Sequence, residues 1–258
     1  MRFFVVAFLV LLPSFIFSQV NTERYRKDYD LLGFSLTNTT GIDFSTGNTE
    51  EFEISEAIRL DWNNPIQDYY AVLEYDFKTA NNKKTKDKGF VHFRTIRDFK
   101  ESYLFGELFT QLEMDRFLNL RSRFLFGGGL RIDLITLLKE KEAVKANVKL
   151  FAGIGLMYEN EVYSEEQTIY ISHLRATSYI SLIMALTENI DLGVVNYYQP
   201  AMENFIDYRF TSDIRLKIKL LDQLSLQFEG SYKHRNLVVD DTFKDDLEIK
   251  TSLVLRLP

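Results

Sequence analysis

Between Tyr208 and His234 apolar and polar residues alternate with a period of two, the signature of strands rather than helices. Tyr208, Phe210, Ile214, Leu216, Ile218 and Leu220 share one face, and Arg209, Thr211, Asp213, Arg215, Lys217 and Lys219 share the other. After a turn at Asp222 and Gln223 the pattern resumes, with Leu224, Leu226, Phe228 and Tyr232 opposite Gln227, Glu229, Ser231 and Lys233. Arms of this length, apolar on one side and strongly charged on the other, suit a wall with lipid outside and a polar interior.

The same alternation recurs along the chain. Phe34 to Phe44 and Phe52 to Trp62 form a first pair of arms, separated by a turn over 45–48. Tyr69 to Phe77 and Val91 to Phe99 form a second pair, with the charged stretch Ala80 to Lys88 expected as a solvated loop. Tyr103 to Leu112 is apolar on both faces in places, and Leu104, Leu108 and Leu112 are assigned outward. Leu120 to Ile132 carries Phe124, Phe126, Leu130 and Ile132 against Arg121, Arg123 and Arg131, with three glycines at 127–129 where the wall bends or is closely approached. Thr136 to Lys145 is the one plausible helical turn. Val148 to Tyr158, Leu174 to Met184, Ile190 to Tyr198, the hairpin above and Leu247 to Leu257 complete about twelve strands, an even number as a closed bacterial barrel requires. Short connections are expected at one end and longer, external ones at the other, with the segment after Ile132 breaking the rule.

The expected fold is therefore all-β: a transmembrane, outer-membrane antiparallel β-barrel spanning 31–258. Closure follows from physics, since an unpaired backbone group in lipid costs several kcal/mol or so. A soluble lipocalin-like barrel is the competing architecture, but it would turn its apolar side chains inward. The first 18 residues, with basic Arg2, an apolar run from Phe3 to Leu12 and Ser18 before Gln19, read as a signal peptide, and 19–30 as a periplasmic lead-in. An uncleaved anchor is the alternative, although the run is short for a spanning helix.

Composition sharpens this picture. Aromatics make up 14% of the 258 residues and prolines number 4, which favours strands. The absence of cysteine excludes a disulfide framework, a thiolate metal site and an N-terminal lipoprotein anchor. A net charge of −6 argues against a nucleic-acid partner. The expected partners are outer-membrane lipids, lipopolysaccharide and the barrel-assembly machinery during insertion.

With the apolar face outward, the lumen receives Arg59, Arg94, Arg121, Arg123, Arg175, Arg209 and Arg215 together with Glu53, Glu74, Glu107, Asp213, Glu229 and Glu248. Two readings stay open: the charges pair and fill a narrow barrel, or they line a selective passage. Catalysis finds little support. Only His92, His173 and His234 are available; Ser172 points away from His173, and the other two have no serine two residues away. No spacing suggests a metal or a cofactor. The chain is thus expected to be no enzyme, with a narrow passive pore as the alternative function and a barrel-borne lipid hydrolase or acyltransferase as a third.

Several strings resemble the salt-induced outer membrane protein family, catalogued as domain of unknown function 481. They are Ser45, Gly47, Asn48 and Thr49; Asp115, Arg121, Arg123, Gly127 and Gly129; Gly153, Gly155, Tyr158 and Glu159; Arg175, Ser178 and Tyr179; and DYRFTSD from Asp207. The resemblance covers nearly all of the chain beyond the signal peptide. It implies an outer-membrane location in a Gram-negative bacterium and a link to osmotic or acid stress, and it implies no reaction. The chain departs from the expected pattern at Leu257 and Pro258, where a terminal aromatic commonly serves barrel assembly.

Overall fold

A computed structural model describes residues 32–46, 50–99, 103–138, 147–164, 168–237 and 244–257; the signal peptide and lead-in expected from the sequence lie outside them. Twelve strands follow one another: β1 (Gly33–Ser45), β2 (Glu51–Asn63), β3 (Gln67–Ala80), β4 (Lys83–Asp98), β5 (Leu104–Asp115), β6 (Leu120–Asp133), β7 (Val148–Ser164), β8 (Thr168–Thr187), β9 (Ile190–Pro200), β10 (Tyr208–Lys219), β11 (Leu224–Arg235) and β12 (Asp245–Leu257). Each pairs antiparallel with its sequence neighbours, and β1 pairs with β12, so the sheet closes. Gly33 and Leu257 lie at the same rim, called here the terminal rim; the opposite one is the far rim.

The alternation read in the sequence sorts the side chains as hydrocarbon would demand. Phe34, Phe44, Trp62, Leu108, Phe126, Ile154, Ile180 and Ile214 are exposed on the outer wall. Arg94, Arg123, Arg175, Arg209, Glu159 and Glu161 are buried inside. A soluble barrel would show the reverse. Trp62 stacks on Tyr69 at the terminal rim, ring centroids 5.3 Å apart, as an aromatic belt residue would.

Several elements differ from expectation. The charged stretch Ala80 to Lys88 is strand rather than loop: Asn81 and Asn82 alone make the turn, with φ of 49° and 60°. Left-handed angles at both central residues match the twist of a tight hairpin, which asparagine tolerates and lysine does not favour. Asn81 Oδ1 also accepts from the Glu50 backbone N–H at 3.0 Å, tying two turns together. Likewise β7 continues to Ser164, through most of the stretch expected as a long loop. The far-rim connections are therefore not uniformly long, and the predicted asymmetry between the two rims is weak. The expected helical turn begins earlier, as α1 (Leu134–Leu138), capped by Asp133, whose Oδ1 accepts from the N–H groups of Ile135 and Thr136 at 3.0 and 3.1 Å; the rest of the stretch expected to be helical, 139–145, lies outside the described residues.

The glycines at 127–129 serve close approach. A Cβ on Gly129 would lie 2.2 Å from the Ile154 carbonyl oxygen, and one on Gly153 would lie 2.1 Å from the Tyr179 ring.

Candidate functional site: the lumen

The interior is divided. On the β4–β9 side its middle and far parts are packed, with a hollow of about 400 Å³ at the terminal rim beside Ile96, Phe105, Arg131 and Phe151, and on the side formed by β10–β12 and β1–β3 it holds a cavity of about 350 Å³.

The packed side has two charged layers. Near the far rim, Glu159 on β7 meets three guanidinium groups: Arg123 Nε donates at 2.7 Å, and Arg175 and Arg209 donate as well. Arg209 reaches Glu161 at 2.8 Å, and Arg175 reaches Asp207 at 3.0 Å. Glu113 pairs with Arg123 at 3.2 Å, and Arg235 pairs with Glu161 at 2.5 Å. These positions are brought together because odd residues of β5, β7, β8 and β10, and of β6 from Arg123 onward, point inward. Nearer the terminal rim, Glu107 accepts from Arg131 at 3.0 Å and from the Tyr179 hydroxyl at 2.9 Å, with Arg94 at 3.5 Å. Arg131 lies between the Phe105 and Phe151 rings, 4.6 and 4.9 Å from their centroids. Arg59 pairs with Asp61 and covers the Tyr70 ring at 4.1 Å.

Apolar side chains fill the space between the layers. Tyr70, Val72 and Ile96 form one buried cluster, Phe109, Leu125 and Met157 another, and Tyr179, Val195 and Tyr197 a third. The sequence reading missed these inward apolar residues because it assigned the lumen by charge alone. Their parity along each strand was the available signal.

A third ionic group bridges the far end of the hollow side. Lys86 on β4 contacts Glu53 at 2.8 Å and also Glu248 on β12, while Lys250 contacts Asp76 at 2.8 Å. Below it the cavity runs toward the terminal rim past Arg215, Glu229, Lys217 and Arg256 to the β10–β11 turn. Arg215 and Glu229 face each other across β10 and β11. On that turn the Asp222 carboxyl is held below its usual range by the hydrogen bond from Lys219.

Of the expected lumen residues, Arg59, Arg94, Arg123, Arg175, Arg209 and Asp213 are buried inside the barrel, and Arg215, Glu229 and Glu248 line the cavity. Arg121 is a correction. The register shifts between Leu120 and Ser122, so one extra residue enters β6 and Arg121 is exposed. It borders an outer-wall groove beside Tyr75, Val91 and Leu112. A β-bulge re-aims a side chain in just this way, and strict alternation cannot foresee it.

The histidines fall apart from one another. His92 is fully buried between aromatic rings. His173 sits at the far rim with Nε2 3.2 Å from Asp207 and Nδ1 3.6 Å from Glu203. The Glu203 carboxyl is lowered chiefly by backbone N–H groups, its own and that of Leu174. His234 Nδ1 lies 2.8 Å from Asp245 on the outer wall. No group of three or more His, Asp or Glu side chains suited to a metal occurs among the described residues.

Closure, an apolar outer wall and a lumen of paired charges define a transmembrane β-barrel of the outer-membrane type. The chain belongs to the family described as protein of unknown function, DUF481, whose model matches residues 39–256. A search of curated proteins finds no match. Among solved structures, the chain is similar to an outer membrane channel from Pseudomonas putida F1, with a TM-score of 0.51 and 8% identity over 93% of this chain and all (100%) of that one. It is also similar to the translocator domain of the autotransporter NalP from Neisseria meningitidis, with a TM-score of 0.50 and 9% identity over 90% of each chain. At such identities the likeness is one of fold.

Proposed function

We propose that the protein is a non-enzymatic barrel of the outer membrane whose lumen is closed to hydrated solutes by its own ion pairs. The observation that carries this reading is Glu159, which has no exposed surface and is shared by Arg123, Arg175 and Arg209. Buried charges so connected are expensive to separate, so the far half of the packed side does not part for a passing solute. The scattered histidines, with the neighbouring Ser172 on the opposite face of the strand from His173, support a role without catalysis. The terminal rim is the periplasmic one in this reading, since β1 starts and β12 finishes there. The envelope-stress role that the family resemblance implies, under osmotic or acid challenge, is part of the same proposal.

The refolded protein in a planar bilayer at neutral pH is expected to give no open-channel steps above background. Sustained conductance would reject the closed lumen. A second reading, a narrow pore, is favoured by the cavity of about 350 Å³ beneath the Lys86 and Lys250 bridges. It expects conductance to rise when those bridges are removed in a Lys86→Ala, Lys250→Ala double variant.

A further inference from the structure

The wall is closed along only part of its seam. β1 pairs with β12 from Leu36↔Leu257 to Thr40↔Leu253 and no further. Yet β1 stays paired with β2 as far as Ser45↔Glu51, and β12 with β11 as far as His234↔Asp245. The far halves of both seam strands therefore have a ladder on one side only. At Gly41 the strands are still close, since a Cβ there would lie 3.2 Å from the Thr251 carbonyl oxygen and from Ser252 Oγ. Above it Ile42, Phe44, Leu247 and Ile249 are 62%, 72%, 68% and 77% exposed. These apolar side chains place the gap in hydrocarbon, where an unpaired strand edge is costly. Such a gap must have an occupant or a shut state.

A shut state is available in the existing register. Continued upward, it sets Ile42 opposite Thr251, Asp43 opposite Lys250 and Phe44 opposite Ile249. Asp43 is exposed and has no ion-pair or hydrogen-bond partner among the described residues. Lys250 is drawn instead toward Asp76 across the lumen. Shutting the seam would bring Asp43 to a cation.

Two features flank the gap. Inside, the lumenal cavity is lined on this side by the hydroxyls and amides of Thr37, Thr39, Ser225, Gln227 and Ser252, interspersed with charges of both signs at Glu229, Glu248, Lys250 and Arg256. Outside, Glu56 takes an outward position midway along β2, accepting from Thr40 Oγ1 at 2.7 Å and from the Asn38 amide. An ionisable side chain on a lipid-facing wall marks a functional path more often than a packing solution.

We infer that the far half of the β1–β12 seam is a lateral gate between lumen and bilayer. Its ligand is an amphiphile with a hydroxyl-rich head and an alkyl tail. The head occupies the Ser, Thr and Gln lining, and the tail leaves between the apolar lips. This rests on the membrane-barrel reading but not on whether the lumen conducts ions.

The native chain has no cysteine, so a staple can be introduced cleanly. An Ile42→Cys, Thr251→Cys variant in lipid nanodiscs is expected to oxidise and keep its folded, heat-sensitive gel mobility. The probe is a fluorescent dodecyl glucoside. Saturable glucoside binding is expected to the reduced variant, weakening about tenfold or more on oxidation. A control staple, Leu36→Cys with Leu257→Cys, lies within the paired part and is expected to change nothing. Failure of the 42/251 pair to oxidise, equal binding before and after oxidation, or no saturable glucoside binding would overturn the gate. Conductance of the same preparation separates the two ideas: an ion-conducting barrel with staple-sensitive binding sinks the closed lumen and leaves the gate standing.

Discussion

Glu159 faces three arginines inside the barrel, and its worth lies in what its loss would strand. Glu159→Gln leaves Arg123, Arg175 and Arg209 buried with one counter-charge fewer, which is expected to cost about 3–5 kcal/mol. Urea unfolding in lipid vesicles would show it as a lower midpoint. Arg121→Gln is expected to stay within about 0.5 kcal/mol of the wild type in the same assay, because the bulge has already put that side chain on the surface. Equal effects would contradict the placement of either residue. Gly153 is a packing counterpart: Gly153→Ala pushes a methyl group into the Tyr179 ring, whose hydroxyl binds Glu107. Overpacking of about 1–3 kcal/mol is expected. At this scale the charges of Arg123 and Arg209 were legible as inward because each strand alternates cleanly. The side to which Arg121 points was not, because a bulge arises from the partner strands' registers and leaves no mark of its own in β6.

At the scale of elements, the β3–β4 hairpin shows how turn chemistry overrides composition. Four lysines and an aspartate between Lys83 and Lys88 suggest solvent, yet two left-handed asparagines let the strands meet directly. Asn82→Ala is expected to destabilise by about 1 kcal/mol, since alanine resists that conformation, while Asn82→Gly is expected to be neutral or better. Equilibrium unfolding of both variants would check the order. The inward lysines Lys86 and Lys88 then enter the lumen, where Lys86 bridges Glu53 and Glu248. A loop reading of the same residues had no place for them.

At the scale of the whole molecule, the even strand number and the antiparallel closure followed from the periodicity and from the cost of open edges in lipid. Mass spectrometry of protein recovered from membranes is expected to find a chain beginning at Gln19, consistent with cleavage after Ser18. An intact Met1 would count against the signal peptide. What the sequence by itself determined is which side of each strand meets hydrocarbon, because a period of two is local and each residue carries it independently. Only the tertiary structure decided how completely β1 meets β12, which carboxylate is shared by three arginines, and where the lumen is solid and where hollow. Those outcomes depend on register and curvature around a closed ring, which are set by all twelve strands at once.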